Sequence, residues 1–177
     1  MVIEYGAIEN ISRPLHNILS KANSVLVQIV KYEWNTTWTS FINDICSASL
    51  KDMNLCENNF SILKMLSEEI FDYSKNQMTQ KQIANLKEQM VKDFTTIFNL
   101  CNLVLENMTQ AKTSLVRACL ETLHAFLSWI PMYYIVYNDL IQKLTYILQS
   151  EQLRTYAMSC LVEIASLKIE GGNMEVM

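Results

Sequence analysis

Glycine and proline are nearly missing, with three Gly and two Pro in 177 residues. Sheet-rich folds with many tight turns draw on those residues, so such a fold is not expected. Histidine is scarce as well, limited to His16 and His124. The five cysteines, Cys46, Cys56, Cys101, Cys119 and Cys160, form no CxxC and no Cys/His ligand spacing, which leaves zinc without candidate ligands. Odd in number, far apart and set among apolar residues, they read as small buried thiols of a reducing compartment. No glycine-rich phosphate loop occurs. The 14 Lys and Arg are scattered and the net charge is −4, so a nucleic-acid surface is not expected.

Targeting signals are equally thin. No basic segment leads into an apolar run at the N-terminus, so no secretory signal is read. The most apolar stretch, Ala118 to Tyr137, is broken by Glu121, His124 and Pro131, which argues against a bilayer span. The sequons at Asn10, Asn35 and Asn107 carry no weight in an intracellular protein. Catalysis lacks a constellation. Cys119 and His124 are five apart and point differently on a helix, and the adjacent Glu68 and Glu69 diverge. Neither an enzyme nor a cofactor is expected.

What the chain does hold is helix-forming residues in helical rhythm. Half of it is hydrophobic and 18% is charged, and Leu, Met, Gln, Glu and Lys lose little freedom in a helix. Apolar residues recur at three- and four-residue steps, as a buried helix face requires. Leu15, Ile18, Ala22, Val25, Leu26, Ile29 and Val30 form the first stripe. Trp38, Phe41, Ile42 and Ile45 follow, then Phe60, Leu63, Leu66, Ile70 and Tyr73. Ile83 to Leu105, Val116 to Ile130, Leu140 to Leu148 (with Ile141) and Ala157 to Ile164 complete the series. Seven helices are predicted, over 14–33, 36–48, 54–74, 79–108, 111–129, 132–149 and 151–167. Asn54 with Glu57 and Thr79 with Gln82 have capping spacing, Ser150 can cap the last helix, Pro131 suits a first turn, and Gly171-Gly172 ends the pattern.

The fold class is all-α. First helices starting near 14, 54, 111 and 151 suggest hairpins in series, two of the intervals being close to the ~40-residue period of HEAT-type repeats. An ordinary helical bundle gives the same stripes.

Four blocks sharpen the reading. Leu55 to Ser74 (LCENNFSILKMLSEEIFDYS) resembles a stretch of the exportin-1 (chromosome region maintenance) family of the importin-β/karyopherin superfamily. So do Val25 to Lys31 with Glu33-Trp34, Trp38 and Phe41-Ile42, then Leu120 to Pro131, and Cys160 to Ala165. The blocks are collinear with the family and cover about residues 21 to 166. Where the family places prolines after both tryptophans this chain has Asn35 and Thr39, and Ser166 replaces a common Gly. The resemblance implies an α-α superhelix, a HEAT-repeat solenoid of about three and a half hairpins, over residues 14–167 as one stack, with 1–13 and 168–177 unassigned. It implies a piece of a longer nuclear export receptor shuttling between nucleus and cytoplasm. Ran in its GTP form would be a partner, with leucine-rich-signal cargo and nucleoporins engaged through the full-length parent. Direct nucleic-acid or membrane partners are not implied. The family's cargo groove and reactive cysteine match nothing here. A helical-repeat scaffold unrelated to nuclear transport stays open as the alternative.

In this family Ran lies against the second helix of each N-terminal hairpin. On the sides opposite the apolar stripes those helices carry Ser40, Asn43 and Ser47, then Asn85, Lys92 and Asn99, then Asp139 and Gln142. These are the partner-facing candidates. Trp34, Trp38 and Trp129 stand at helix ends, placed to wedge between hairpins. A stack cut from its neighbours also exposes apolar flanks, so self-association is expected.

Overall fold

The computed structural model of the chain describes residues 13–71, 79–136 and 138–167. Among these there are eight helices and no strand: α1 (Arg13–Glu33), α2 (Phe41–Lys51), α3 (Met53–Phe71), α4 (Gln80–Glu106), α5 (Thr113–Leu127), α6 (Met132–Val136), α7 (Leu140–Ile147) and α8 (Arg154–Ser166). Tyr73, Tyr137, Gly171-Gly172, the Asn10 sequon and the side chains of Leu15 and His16 lie outside the described residues.

The helices form two layers. α1, α3, α5 and α8 pack side by side in that order, while α2 and α4 adjoin in a second layer that α6 and α7 extend. This is the HEAT-type α-α superhelix, each hairpin burying its apolar faces on its neighbours. Hydrogen bonds set the register of the first layer. Lys112 donates to Asn54 (3.1 Å), Ser114 to Glu57 (2.7 Å), Thr122 to the Phe60 carbonyl (2.9 Å), Lys64 to Glu121 (2.9 Å) and Ser67 to the Ala125 carbonyl (2.9 Å). The start of α3 pairs with the start of α5 and the later turns of α3 with the later turns of α5, so the two helices run parallel. Asn23 to Asn58 (2.8 Å) and Lys31 to Glu69 (2.9 Å) repeat the relation between α1 and α3.

Several boundaries depart from the periodicity reading. The helix predicted over 36–48 begins at Phe41 and runs to Lys51. Residues 34–40 turn instead, with the amides of Thr36, Thr37 and Trp38 all donating to the Glu33 carbonyl. Asn54 and Glu57 do not cap α3. Asp52 ends α2 in an extended conformation, and its carboxylate accepts from the Asn54 amide (2.9 Å). Asn54 and Glu57 are spent on α5. Thr79 and Gln82 do form the reciprocal capping box of α4. Ser150 caps no helix: its carbonyl accepts from Leu153 and Arg154 in a turn, and α8 starts at Arg154.

The helix predicted over 132–149 is two helices. Asp139 sits at φ 52°, in the left-handed region that Asp tolerates better than most residues. Ile135 and Leu140 are both buried, yet in an unbroken helix they would point about 140° apart. The break lets both reach the core. Nothing as plain as Gly or Pro marks it.

The first apolar stripe also needs correcting. Val27, Val30 and Trp34 are buried with Asn23 and Lys31, whereas Ile18, Val25 and Ile29 are exposed at 63%, 60% and 50%. α1 has two apolar faces, and α3 covers only one. Ile141, placed in a core stripe, is exposed as well.

All five cysteines are free and buried. Burial pushes the thiols of Cys46, Cys56 and Cys160 up to about 12 and that of Cys119 well above its usual value. With such a value about one thiol in ten thousand is ionised at pH 8. Iodoacetamide at pH 8 should therefore leave these four unmodified in the folded chain, and mass spectrometry should find five adducts once denaturant is added. Native labelling at the rate of a free peptide cysteine would contradict the packing. A thiol held above its unfolded value adds stability below about pH 8.5, and that stability drains away as pH climbs toward 12.

Candidate partner-binding surface

The second layer presents α2, α4 and the α6–α7 pair outward. α4 buries Ile83, Leu86, Met90, Phe94, Ile97, Phe98, Cys101, Val104 and Leu105, which turns Asn85, Lys92 and Asn99 to solvent on one stripe at seven-residue spacing. α2 buries Phe41, Ile42, Ile45, Cys46 and Ser49 and exposes Asn43 and Ser47.

Polar contacts join these helices into one surface. The Thr96 hydroxyl donates to Asn43 (3.5 Å), tying α4 to α2. The hydroxyls of Thr95 and Tyr134 meet at 2.5 Å, tying α4 to α6. Lys143 donates to Asn102 (3.2 Å) and Glu106 (2.9 Å), fastening α7 to α4. Beneath lies an aromatic cluster in which Phe94 touches Phe98, Phe126, Trp129 and Tyr134. A rigid backing of this kind holds outward side chains at fixed separations.

The predicted residues fare unequally. Asn43, Ser47, Asn85, Asn99 and Gln142 are exposed, and Asn43 sits on the α2–α4 seam. Ser40 precedes α2, and its hydroxyl donates to Asp44 (2.8 Å). Trp38 Nε1 donates to the same carboxylate (3.0 Å), and the two bonds hold Asp44 below its ordinary range. Lys92 pairs with Glu88 (2.8 Å) one turn away. Both side chains are mostly exposed, so the pair opens readily for another anion. Asp139 is not on a continuous helix face but in the α6–α7 junction. Sequence reasoning missed the exposed apolar members of this layer, Leu50, Leu103, Tyr133, Val136 and Tyr146. Their types match core residues, so no signal in the pattern separates them.

Trp129 sits between hairpins as expected, whereas the ring contacts of Trp34 and Trp38 are with Phe41 of their own hairpin. Trp34 is fully buried edge-on to Phe41, Trp38 also meets Phe41 edge-on, and Trp129 stacks near Phe94 and Phe126 while donating to Ser67 (3.2 Å). No group of three His, Cys, Asp or Glu among the described residues could hold a metal. Cys119 is buried and His124 is exposed. No described helix is long and apolar enough to cross a membrane.

This two-layer stack has known relatives. The family description "Exportin 1-like protein" matches residues 15–161. The chain belongs to the exportin 1-like family. Exportin-1 of Schizosaccharomyces pombe is 43% identical over 168 residues, covering 94% of this chain and 15% of that protein. Exportin-1 of Drosophila melanogaster is 45% identical over 150 residues, covering 84% and 14%. The more distant Exportin-T of Mus musculus is 26% identical over 155 residues, covering 84% and 16%. This exportin 1-like chain thus spans about 15% of the length of the first of these relatives.

Proposed function

We propose that this chain is the scaffold portion of a nuclear export receptor and carries part of its Ran-facing surface. The family membership supports the reading, because relatives named exportin-1 share 43–45% of residues across most of the chain. Residues 14–167 act as one continuous stack, and the outward side of the second layer meets Ran in its GTP form through Ser40, Asn43, Ser47, Asn85, Lys92, Asn99, Asp139 and Gln142. Polar amides and one lightly held lysine suit a hydrated, reversible contact better than a permanent one. Leucine-rich-signal cargo and nucleoporins engage the full-length parent, which shuttles between nucleus and cytoplasm. The chain works by binding and not by catalysis, with no cofactor.

The test uses the full-length parent. Immobilised Ran locked in its GTP state should capture it, more strongly when a leucine-rich signal peptide is added, while Ran-GDP should not. Lys92→Glu combined with Asn99→Glu should reduce capture about tenfold, since like charge set against an anionic group at a contact rim mainly slows encounter. A parent that captures neither Ran-GTP nor the peptide would overturn the reading. Unchanged capture by the double variant would remove these two residues from the surface.

A further inference from the structure

Within the first layer α5 has a neighbour on each flank, α3 and α8, so its outer side is not an end where a longer stack would continue. On that outer side the short side chains of Ala125 and Ser128 floor a valley of about 410 Å³. Lys64 and Glu68 of α3 form one bank, and Tyr156 and Glu163 of α8 form the other. Glu121 also lines the valley and pairs with Lys64 at 2.9 Å, each about one-third exposed. Among the described residues, the carboxylates of Glu68 and Glu163 make no hydrogen bond or ion pair. Three carboxylates thus face one ammonium, and a charged His124 would still leave the valley negative. Arg154 lines the adjoining groove along α8, not this valley, and makes no ion pair with Glu163. Ser128 ends α5, so the partial negative charge of that helix terminus adds to the same sign.

We infer that this valley receives a basic segment of a partner protein, one cationic side chain pairing with Glu68 and a second with Glu163. Charge complementarity chooses the sign of the occupant, because both carboxylates stand unpaired in a concave site that keeps part of their surroundings dry. Geometry chooses a segment over a lone ion. α3 and α8 flank α5 on opposite sides, and packed helices lie about 8–10 Å apart, so the two banks rise from axes about 16–20 Å apart. One ammonium or guanidinium cannot meet both banks. Two of them on one chain crossing α5 can, and the Tyr156 ring on the α8 bank offers a face to the aliphatic stem or the cation itself. The site lies on the opposite layer from the surface assigned to Ran, and the two can be occupied together.

Photo-crosslinking on the full-length parent tests this. The probe is a synthetic Gly/Ser peptide with two Arg about five residues apart, a reach of about 17 Å when extended, and a benzophenone side chain between them. After irradiation at low salt, mass spectrometry should find adducts concentrated in 118–128 and 156–166. Glu68→Gln and Glu163→Gln keep the side-chain shape, so circular dichroism should show unchanged helicity, and either variant carries the test if the other fails to fold. Each should lower adduct yield about threefold, as expected for one partly exposed ion pair. Together they should lower it about tenfold, since the two banks act independently. Glu151→Gln removes the same charge from an exposed residue outside the valley and should leave the yield unchanged. A probe with one Arg replaced by Ser should crosslink as weakly as the single variants. Adducts scattered over the surface overturn the inference. So does an equal loss with Glu151→Gln, a yield indifferent to Glu68 and Glu163, or a one-Arg probe that crosslinks as well as the two-Arg probe.

Discussion

Replacing Phe94 with alanine should lower the unfolding free energy by about 3–5 kcal/mol, among the largest effects of any single substitution in this chain. Phe94 is 1% exposed and lies against four rings: Tyr134 at 4.8 Å, Phe126 at 5.5 Å, Trp129 at 5.7 Å and Phe98 at 5.8 Å between centroids. Those rings come from α4, α5, α6 and the turn after α5, so one side chain joins both layers. Truncation removes the transfer free energy of a benzyl group and leaves a cavity that four large neighbours cannot close. The edge-on contact with Tyr134 is lost too, and such aromatic pairs add about 0.5–1.5 kcal/mol each beyond burial. Phe94→Leu keeps most of the volume and should cost under about 2 kcal/mol. Urea denaturation followed by circular dichroism measures both. Hydrogen exchange should also speed up in 132–136, since Tyr134 is the anchor of that short helix. A loss below about 1 kcal/mol for Phe94→Ala would mean the cluster is not packed as described.

The second large effect concerns a charge. Lys31 is a core residue of α1 with only 5% of its side chain exposed, and it donates to Glu69 (2.9 Å) and Gln28 (3.2 Å). Removing one member of a buried pair strands the other, at about 3–5 kcal/mol when both are fully dry. Glu69 keeps 24% exposure, so Glu69→Leu should fall near the low end of that range. Replacing both with apolar residues of similar size (Lys31→Met with Glu69→Leu) removes the charge and its partner together. The double variant should recover most of the loss, in keeping with the near-neutral outcome of replacing buried pairs by apolar ones. Thermal melts of the four proteins form a double-mutant cycle. Additive effects would show that the pair contributes nothing beyond its separate parts.

These two sites also show how far the sequence reaches. Phe94 falls on the apolar stripe of its helix and was legible as core. Lys31 was not, because a lysine beside apolar residues reads as solvated unless its partner, 38 positions away, is known. Asn23, Asn58, Asn59 and Thr122 are buried for the same reason: their partners are carbonyls and amides on other helices. Of the surface candidates, Asn85, Lys92 and Asn99 could be placed outward from α4 alone, since α4 is one long unbroken helix. Asp139 could not, because the break beside it answers to where Ile135 and Leu140 find room.

Composition and rhythm by themselves determined that the chain is helical, roughly where most helices lie, and which side of α3, α4 and α5 is buried, because a 3.6-residue period shows directly in the order of side chains. The resemblance of four blocks supplied the family. The tertiary structure alone decided which of two apolar faces α1 buries, where α7 separates from α6, and which polar groups α3 and α5 share. Periodicity reports that a face is apolar, but a covering neighbour is distant in the chain, and only packing brings it there.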